Sequence, residues 1–287
     1  MQLRTDLALE AREDIPGKIG GVSVLSSKKG DMKITRLRVL TDSAAKKLGK
    51  PVGSYITCEF RALTDDFTAD DERIEVIGGM ISELVPKSGC VLVAGIGNHN
   101  ITPDALGPKA AEKVLATRHF TDAAAKSHGL DSLRPVCVLA PGVLGQTGIE
   151  VGELISGVIK KAGVSCVIAV DALASRSLSR LGCTVQISDT GISPGAGIGN
   201  RRARLDFETL GVPVIAVGVP TVVDAATLVS DLLGEKLSDR IPGSASRMIV
   251  TPREIDLLTQ RAAVLIGMSI NLALQPSLTA EELFALI

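Results

Sequence analysis

Five short apolar runs in the middle of the chain most constrain what this sequence can fold into. They are CVLVAG, PVCVLA, SCVIAV, CTVQIS and PVIAVG, at residues 90–95, 135–140, 165–170, 183–188 and 213–218. Most are apolar throughout rather than alternating with polar residues, which is typical of parallel strands that are buried on both faces. Each run is therefore predicted to be a strand of one mostly parallel sheet.

Helix-length amphipathic segments separate these runs. They lie at about 70–85, 105–117, 150–163, 172–181 and 221–234, and a longer one, with Pro252 at its first position, covers about 252–274. Strands that alternate with helices predict an α/β fold with right-handed crossovers. Residues 34–40 and 54–60 alternate more, so they are predicted to be antiparallel edge strands or a small hairpin layer. We expect a single domain over residues 1–287.

Composition and charge exclude several classes of partner. The 287 residues are 45% hydrophobic, so a sizeable core is expected, and the net charge of −1 argues against a nucleic-acid binder. The chain has no apolar run of the roughly 18 residues that a membrane helix needs, and its charged N-terminus does not resemble a secretory signal. The five cysteines form no C-x-x-C pair and are predicted to be reduced thiols. We therefore expect a cytoplasmic protein with no direct nucleic-acid or membrane partner.

Four acidic residues follow predicted strands, where ligands bind in open parallel sheets. They are Asp104, Asp171, Asp189 and Asp224. Any one of them could be a helix N-cap or a first-turn acid that the helix dipole favours. Four acids at one edge of a sheet would repel each other, so a purely structural role for all of them is less expected. The pattern indicates carboxylate chemistry but does not rank the four.

Other site chemistries find less support in the sequence. Gly95 and Gly97 fit a dinucleotide-binding fingerprint, but its third glycine is replaced by Asn100, and the acid expected after the next strand is missing. A phosphate-binding P-loop is also absent from the sequence. The three histidines show no metal-binding spacing, and only His99 follows a predicted strand closely. We expect no metal and no cofactor.

Six segments together resemble the germination protease family, the spore endopeptidases. They are RTDLALEARE, GIGNHNITPDALGP, VDALASRS, QISDTGISPGAGIGN, VGVPTVVDAATL and VTPREIDLLTQRAAVLIGMSINLAL, and they run in order from Arg4 to about Pro276. The resemblance implies a three-layer α/β fold with a mostly parallel central sheet, phosphorylase/hydrolase-like and akin to hydrogenase maturation proteases. It also implies an atypical aspartic endopeptidase that initiates degradation of small acid-soluble spore proteins at germination. Family members are autoprocessing zymogens and homotetramers of the forespore and spore core.

The resemblance also assigns roles to particular residues. The essential aspartates of the family lie in its TPDALGP and DALA-RS motifs, which places them at Asp104 and Asp171 here. Two close carboxyl groups of this kind share one proton, so that one acts as base and the other as acid. Family substrates are cut after the first acid of Thr-Glu-(Phe/Ile)-Ala-Ser-Glu, which TDLALE resembles. The propeptide cut is therefore expected between Asp6 and Leu7, giving a short propeptide over residues 1–6.

Further side chains in the same motifs are candidates to bind substrate or to orient the loops. Cleavage after an acid favours a cationic pocket, for which Arg176 and Arg201 are candidates. The loop around Gly197 could supply backbone amides to an anion or an oxyanion. The remaining candidates are Asn98, Asp189, Thr190 and Asn200.

Two other functions fit parts of the sequence. One is a maturation peptidase of related fold that uses a metal to position its substrate, for which His99 would be the imidazole ligand. The other is a non-catalytic module that binds an acidic peptide or a phosphate at the glycine-rich loop.

Overall fold

A single mixed sheet forms the centre of the fold. The computed structural model describes residues 5–61, 63, 65–120, 130–195, 203–233 and 248–287, and in this part of the chain the sheet has nine strands. The strands are β1 (Val22–Lys29), β2 (Met32–Val39), β3 (Gly53–Glu59), β4 (Cys90–Ile96), β5 (Val136–Gly142), β6 (Val164–Ser175), β7 (Thr184–Ser188), β8 (Val214–Asp224) and β9 (Ile249–Val250). Their order across the sheet is β1-β2-β3-β7-β8-β6-β4-β5, with β9 paired to β8.

One half of the sheet is parallel and the other half is antiparallel. Strands β8, β6, β4 and β5 pair in parallel, as the continuous apolar runs predicted. Strands β1, β2 and β3 form an antiparallel meander, which confirms the prediction of antiparallel edge strands for the first 60 residues. The prediction that CTVQIS belongs to the parallel set is wrong, because β7 runs antiparallel to both β3 and β8.

Helices cover both faces of the sheet, which confirms the three-layer α/β fold. They are α1 (Ala8–Glu13), α2 (Asp42–Leu48), α3 (Glu72–Leu84), α4 (Leu106–Ala111), α5 (Leu144–Thr147), α6 (Val151–Ala162), α7 (Phe207–Leu210), α8 (Ala225–Leu233), α9 (Ile255–Leu274) and α10 (Ala280–Leu286). The largest core cluster joins one face of the sheet to α3, α4, α9 and α10. On the other face, α6 and α7 cover parallel strands, whereas α1 and α2 cover the antiparallel meander.

The long C-terminal helix α9 belongs to the core. It is 20 residues long and apolar enough to cross a membrane by composition, but 67% of its most apolar window is buried inside the protein. It packs against α3 and α4. It begins at Ile255, so the expected start at Pro252 was three residues early.

Two strands extend further than the sequence predicted. The pairing of β6 with β8 continues from Asp171, opposite Gly218, to Ser175, opposite Val223. The helix predicted over 172–181 is therefore absent, and a short 3-10 turn over Leu178–Arg180 takes its place. Likewise, α8 begins at Ala225 rather than near residue 221. Pairing between two long neighbouring strands overrides the local helical pattern in both segments.

Between the two helical groups, the second face of the sheet is polar. Side chains alternate between the faces of a strand, so Asp171 lies on the same face as Ala169 of the cluster under α6. Gln186 lies between Val185 and Ile187, which belong to the opposite core, so it shares the face of Asp171. The fold therefore leaves a polar strip between α2 and α6.

Close packing of α4 on the parallel strands gives a test of the fold. A Cβ atom on Gly107 would clash with backbone atoms of Ile96 and Val170, which cannot move aside without disturbing the sheet. We expect Gly107→Ala to lower the free energy of unfolding by about 1–3 kcal/mol or more. The control is Gly79→Ala in α3, where nothing lies within 4 Å of the added Cβ and a gain of roughly 0.5–1 kcal/mol is expected. Urea unfolding of both variants measures the difference; equal stabilities would contradict this packing.

Candidate active site

A tight turn after β4 brings Asp104 to the carboxyl edge of the parallel strands. Gly97 has a φ of +124°, and any side chain there would clash with the backbone oxygen of Asp104. The backbone N–H of Asn98 donates to Asp104 Oδ2 at 2.7 Å. From β8, the hydroxyl of Thr221 donates to the carbonyl oxygen of Pro103 at 2.7 Å. The position of the Asp104 carboxyl group is therefore fixed from both sides.

Asp171 lies within β6 rather than after it, and its side chain is only 4% exposed. Its Oδ1 accepts one hydrogen bond, from the N–H of Ala172 at 2.8 Å. Burial raises the pKa of Asp171 well above its ordinary value, and the negative charges of Asp104 and Asp6 raise it further. Burial also raises the pKa of Asp104, against the opposing effect of the Asn98 N–H. The pKa of each carboxyl group is thus raised above its ordinary value, and the larger rise belongs to Asp171.

A third carboxyl group, that of Asp6, joins the pair from the N-terminal segment. The N–H of Asp6 donates to Ala174 O at 2.9 Å, and the N–H of Ala174 donates to Asp6 Oδ2 at 2.8 Å. Asp6, Asp104 and Asp171 line one cavity of about 310 Å³. Asp6, Lys50, Asp171 and Gln186 line a second cavity of about 410 Å³ on the polar strip. Asp6 and Asp171 therefore lie between two cavities.

The residues that follow Asp6 are held along the end of β6. The side chains of Leu7, Ala8 and Glu10 are fully buried. Glu10 accepts hydrogen bonds from the backbone N–H groups of Arg176 at 2.7 Å and of Ser177 at 3.0 Å. The hydroxyl of Thr5 donates to Glu10 as well. The segment predicted to contain the propeptide cut thus occupies the groove beside Asp171.

Two arginines after β6 hold α1 against the sheet. The guanidinium group of Arg180 donates to Glu13 at 2.6 and 2.8 Å and to Glu59 at 2.9 Å. The guanidinium group of Arg176 contacts Asp14 and lies 3.9 Å from Glu13. Arg176 was a candidate to pair with a substrate carboxylate, and the structure places its cation beside α1.

The other two strand-end acids have separate environments. Asp224 accepts hydrogen bonds from the N–H and hydroxyl of Thr227, in the manner of a helix cap for α8. Asp189 follows the antiparallel strand β7, whose last residue, Ser188, lies opposite Ala216 near the start of β8. The expectation that all four acids share one edge is therefore wrong for Asp189.

The remaining candidates lie at the edge of the site or outside the described residues. Asp189 Oδ1 accepts from the N–H of Ser54 at 2.7 Å, and Thr190 lines the cavity of about 410 Å³. Gly197, Asn200 and Arg201 fall in the stretch 196–202, which lies outside the described residues.

The surroundings of His99 are those of a surface residue. Its Nδ1 lies 3.8 Å from Glu112, and both side chains are more than half exposed. Among the residues that the structure describes, no group of three or more His, Cys, Asp or Glu side chains could hold a metal ion.

Sequence reasoning missed two residues that contact the Asp6 peptide group. Gln186 is an amide between the apolar residues Val185 and Ile187, and that pattern was a signal that could have found it. Lys50 follows α2 and carries no comparable signal, because only the tertiary fold brings it to the N-terminal segment. Its Nζ donates to Asp6 O at 2.8 Å, and Gln186 Nε2 donates to the same oxygen at 3.2 Å.

The chain is similar in sequence to known germination proteases. The family model described as germination protease matches residues 3–239. The germination protease of Caldanaerobacter subterraneus subsp. tengcongensis is 44% identical over 99% of this chain and 98% of its own. That of Clostridium perfringens is 40% identical over 98% of both chains, and that of Priestia megaterium is 42% identical over 80% of this chain and 66% of its own.

Among solved structures, the chain is similar to the NiFe hydrogenase maturation protease HycI of Thermococcus kodakarensis. The TM-score is 0.37 at 18% identity, and the match covers 67% of this chain and 98% of HycI.

The burial of Asp171 predicts a pH-dependent stability. Because its pKa is raised on folding, the folded state holds the proton more tightly, and stability falls as the pH rises from the unfolded pKa of about 3.9 through the folded pKa. Asp171→Asn removes this loss, so its unfolding free energy should exceed that of the wild type at pH 7 and change less with pH. Urea unfolding between pH 4 and pH 8 measures both quantities.

The control for this experiment is Asp224→Asn, which neutralises another buried acid of the parallel strands. Asp224 caps α8, where a negative charge favours the helix, so this variant should gain no stability at pH 7. An Asp171→Asn protein that matches the wild type in both stability and pH dependence would contradict the account of the buried carboxyl group.

Proposed function

This chain belongs to the germination protease family and is a protease, and we propose that it is an aspartic-type endopeptidase whose Asp104 and Asp171 act as a pair. The observation that carries the proposal is the convergence of these two carboxyl groups in one cavity, together with a peptide segment of substrate-like sequence. The charge of Asp104 raises the pKa of Asp171 in addition to the effect of burial, as expected of carboxyl groups that share a proton.

The surroundings of the two acids favour different roles for them. Asp171 is almost completely buried, so it holds the shared proton and donates it to the leaving amine. Asp104 is only half-buried and accepts the N–H of Asn98, an interaction that favours its ionised form. In this mechanism Asp104 accepts the proton of the attacking water. Neither a serine nor a cysteine nucleophile is required.

The N-terminal segment fits the role of a propeptide that is removed by self-cleavage. Asp6 lies between the two cavities and is hydrogen-bonded to β6, and the bond that follows it is the expected site of the cut. A cut there would release residues 1–6. Residues 7–10 would stay buried in the groove, so activity on other proteins requires this segment to shift or the substrate to bind alongside it.

The contacts of the segment also suggest how acids are recognised on both sides of the cut. The N–H of Ala174 binds the carboxylate of Asp6, and the N–H groups of Arg176 and Ser177 bind that of Glu10. Backbone amides are strong partners for carboxylates in partly buried sites. The same spacing of acids occurs in the family's substrate motif, so we take small acid-soluble spore proteins as the substrates. In this proposal the enzyme works in the spore core as a homotetramer.

Removal of either acid should abolish cleavage and leave the fold intact. Loss of general acid–base catalysis costs about 10²–10⁴-fold in rate, so Asp104→Asn and Asp171→Asn should show at least this loss. The measurement is intact mass after mild acidification, which detects loss of residues 1–6, combined with digestion of a small acid-soluble spore protein.

Asp189→Asn is the matched control, because this acid lies beyond the pair and binds the N–H of Ser54. It should cleave at close to the wild-type rate. Near-normal turnover in both pair variants would reject the aspartic mechanism. Binding of the spore protein without fragments, by the wild type, would favour a non-catalytic module.

A further inference from the structure

We propose that Lys50 and Gln186 stabilise the negative charge that develops on the carbonyl oxygen of Asp6 when the following peptide bond is cut. This assignment rests on the proposed self-cleavage between Asp6 and Leu7. It gives the site an oxyanion-binding pair made of two side chains, separate from the two acids that move protons. The candidates chosen from the sequence for this role were the backbone amides of the glycine-rich loop.

Lys50 contacts the backbone on the acyl side of the bond. Its Nζ donates to Asp6 O at 2.8 Å and to Thr5 O at 3.2 Å. The left-handed residue Gly49, with a φ of +67°, ends α2 and turns the chain so that Lys50 reaches the segment. Burial lowers the pKa of the Lys50 ammonium group, against the charges of Asp6 and Glu10. An ammonium group of lowered pKa is a stronger hydrogen-bond donor.

Gln186 contacts the backbone on both sides of the bond. Its Nε2 donates to Asp6 O at 3.2 Å, and its Oε1 accepts the N–H of Ala8 at 2.7 Å. The neighbouring side chains Val185 and Ile187 are fully buried in the core on the opposite face, so the strand that carries Gln186 is rigid. This one amide therefore fixes the peptide group that is to be cut.

The sheet register brings this pair to the level of the buried acid. Both Asp171 of β6 and Gln186 of β7 lie opposite Gly218 of β8, so the three residues form one row across the sheet. A Cβ on Gly218 would lie 2.7 Å from the backbone oxygen of Asp171 and from the side chain of Leu173. Because Gly218 has no side chain, it leaves this part of the cavity open. Asp6, Lys50, Asp171 and Gln186 line the same cavity.

The chemistry requires such donors. When water adds to the carbonyl carbon of Asp6, the π electrons of the C=O bond move to the oxygen, and the proton of the water goes to the ionised carboxylate. The tetrahedral species then re-forms the C=O bond and breaks the C–N bond, while the nitrogen of Leu7 takes the proton of the other carboxyl group. Donors near the oxygen stabilise its charge in the transition state more than in the ground state. Because carboxylates lie nearby, a cationic donor stabilises the negative charge on this oxygen more than a neutral donor does.

The test measures self-cleavage of the full chain by intact mass. Lys50→Met keeps the length of the side chain but removes the donor, and the rate should fall by about 10²–10³-fold. Lys50→Arg keeps a cationic donor and should recover part of that loss. Lys47→Met, at an exposed lysine of α2, is the matched control and should cleave at the wild-type rate. Gln186→Glu keeps the acceptor for the Ala8 N–H but not the donor, and should also slow the cut.

A second readout separates chemistry from anchoring. Hydrogen exchange of residues 7–10 should remain as slow in Lys50→Met as in the wild type, since Gln186, Arg176 and Ser177 still hold the segment. Wild-type cleavage rates in Lys50→Met would overturn the assignment, and so would a slow variant whose segment has lost its protection. A wild-type chain that never releases residues 1–6 would contradict the proposed function itself.

Discussion

The burial of one carboxyl group, that of Asp171, is the constraint on which the rest of the site depends. Strand alternation places it on the polar strip of the sheet, between α6 on one side and α2 on the other. A carboxylate in such a place is costly unless it holds a proton, so its pKa rises. The turn that carries Asp104, fixed by Gly97 and Thr221, then adds a second negative charge nearby. The fold thereby places both acids along one cavity, as the proposed shared-proton pair requires.

The extension of β6 beyond Asp171 gives the N-terminal segment its binding surface. The carbonyl oxygen of Ala174 accepts the backbone N–H of Asp6, and the N–H of Ala174 donates to the Asp6 carboxylate. The next amides, of Arg176 and Ser177, bind Glu10, and Arg180 holds α1 in place through Glu13. Local sequence, tertiary pairing and electrostatics thus combine to hold the N-terminal segment beside Asp104 and Asp171, the acids that are proposed to cut it. Under the proposed function, another protein reaches these acids only if the segment shifts or if that protein binds alongside it.

Much of the fold could be predicted from the sequence, whereas the site could be predicted only in part. Apolar runs locate strands reliably because burial on both faces leaves no room for polar residues. Strand direction is not encoded in such runs, so the edge at which Asp189 lies could not be read from CTVQIS. Physical reasoning left four acids equal, and the family resemblance singled out Asp104 and Asp171. The sequence did not point to Lys50, because its contacts are with Asp6 and Thr5. These residues lie 44 and 45 positions away from it along the chain.

The protonation of Asp171 is the most direct measure of the central claim. Carbon-13 NMR of labelled aspartate carboxyl groups follows its titration in the wild type and in Asp104→Asn. The account predicts a wild-type pKa well above the ordinary value of about 3.9. In Asp104→Asn the pKa should be lower but still raised, because burial remains after one charge is removed. An ordinary pKa in the wild type, or a value that does not respond to the loss of Asp104, would contradict the shared-proton pair.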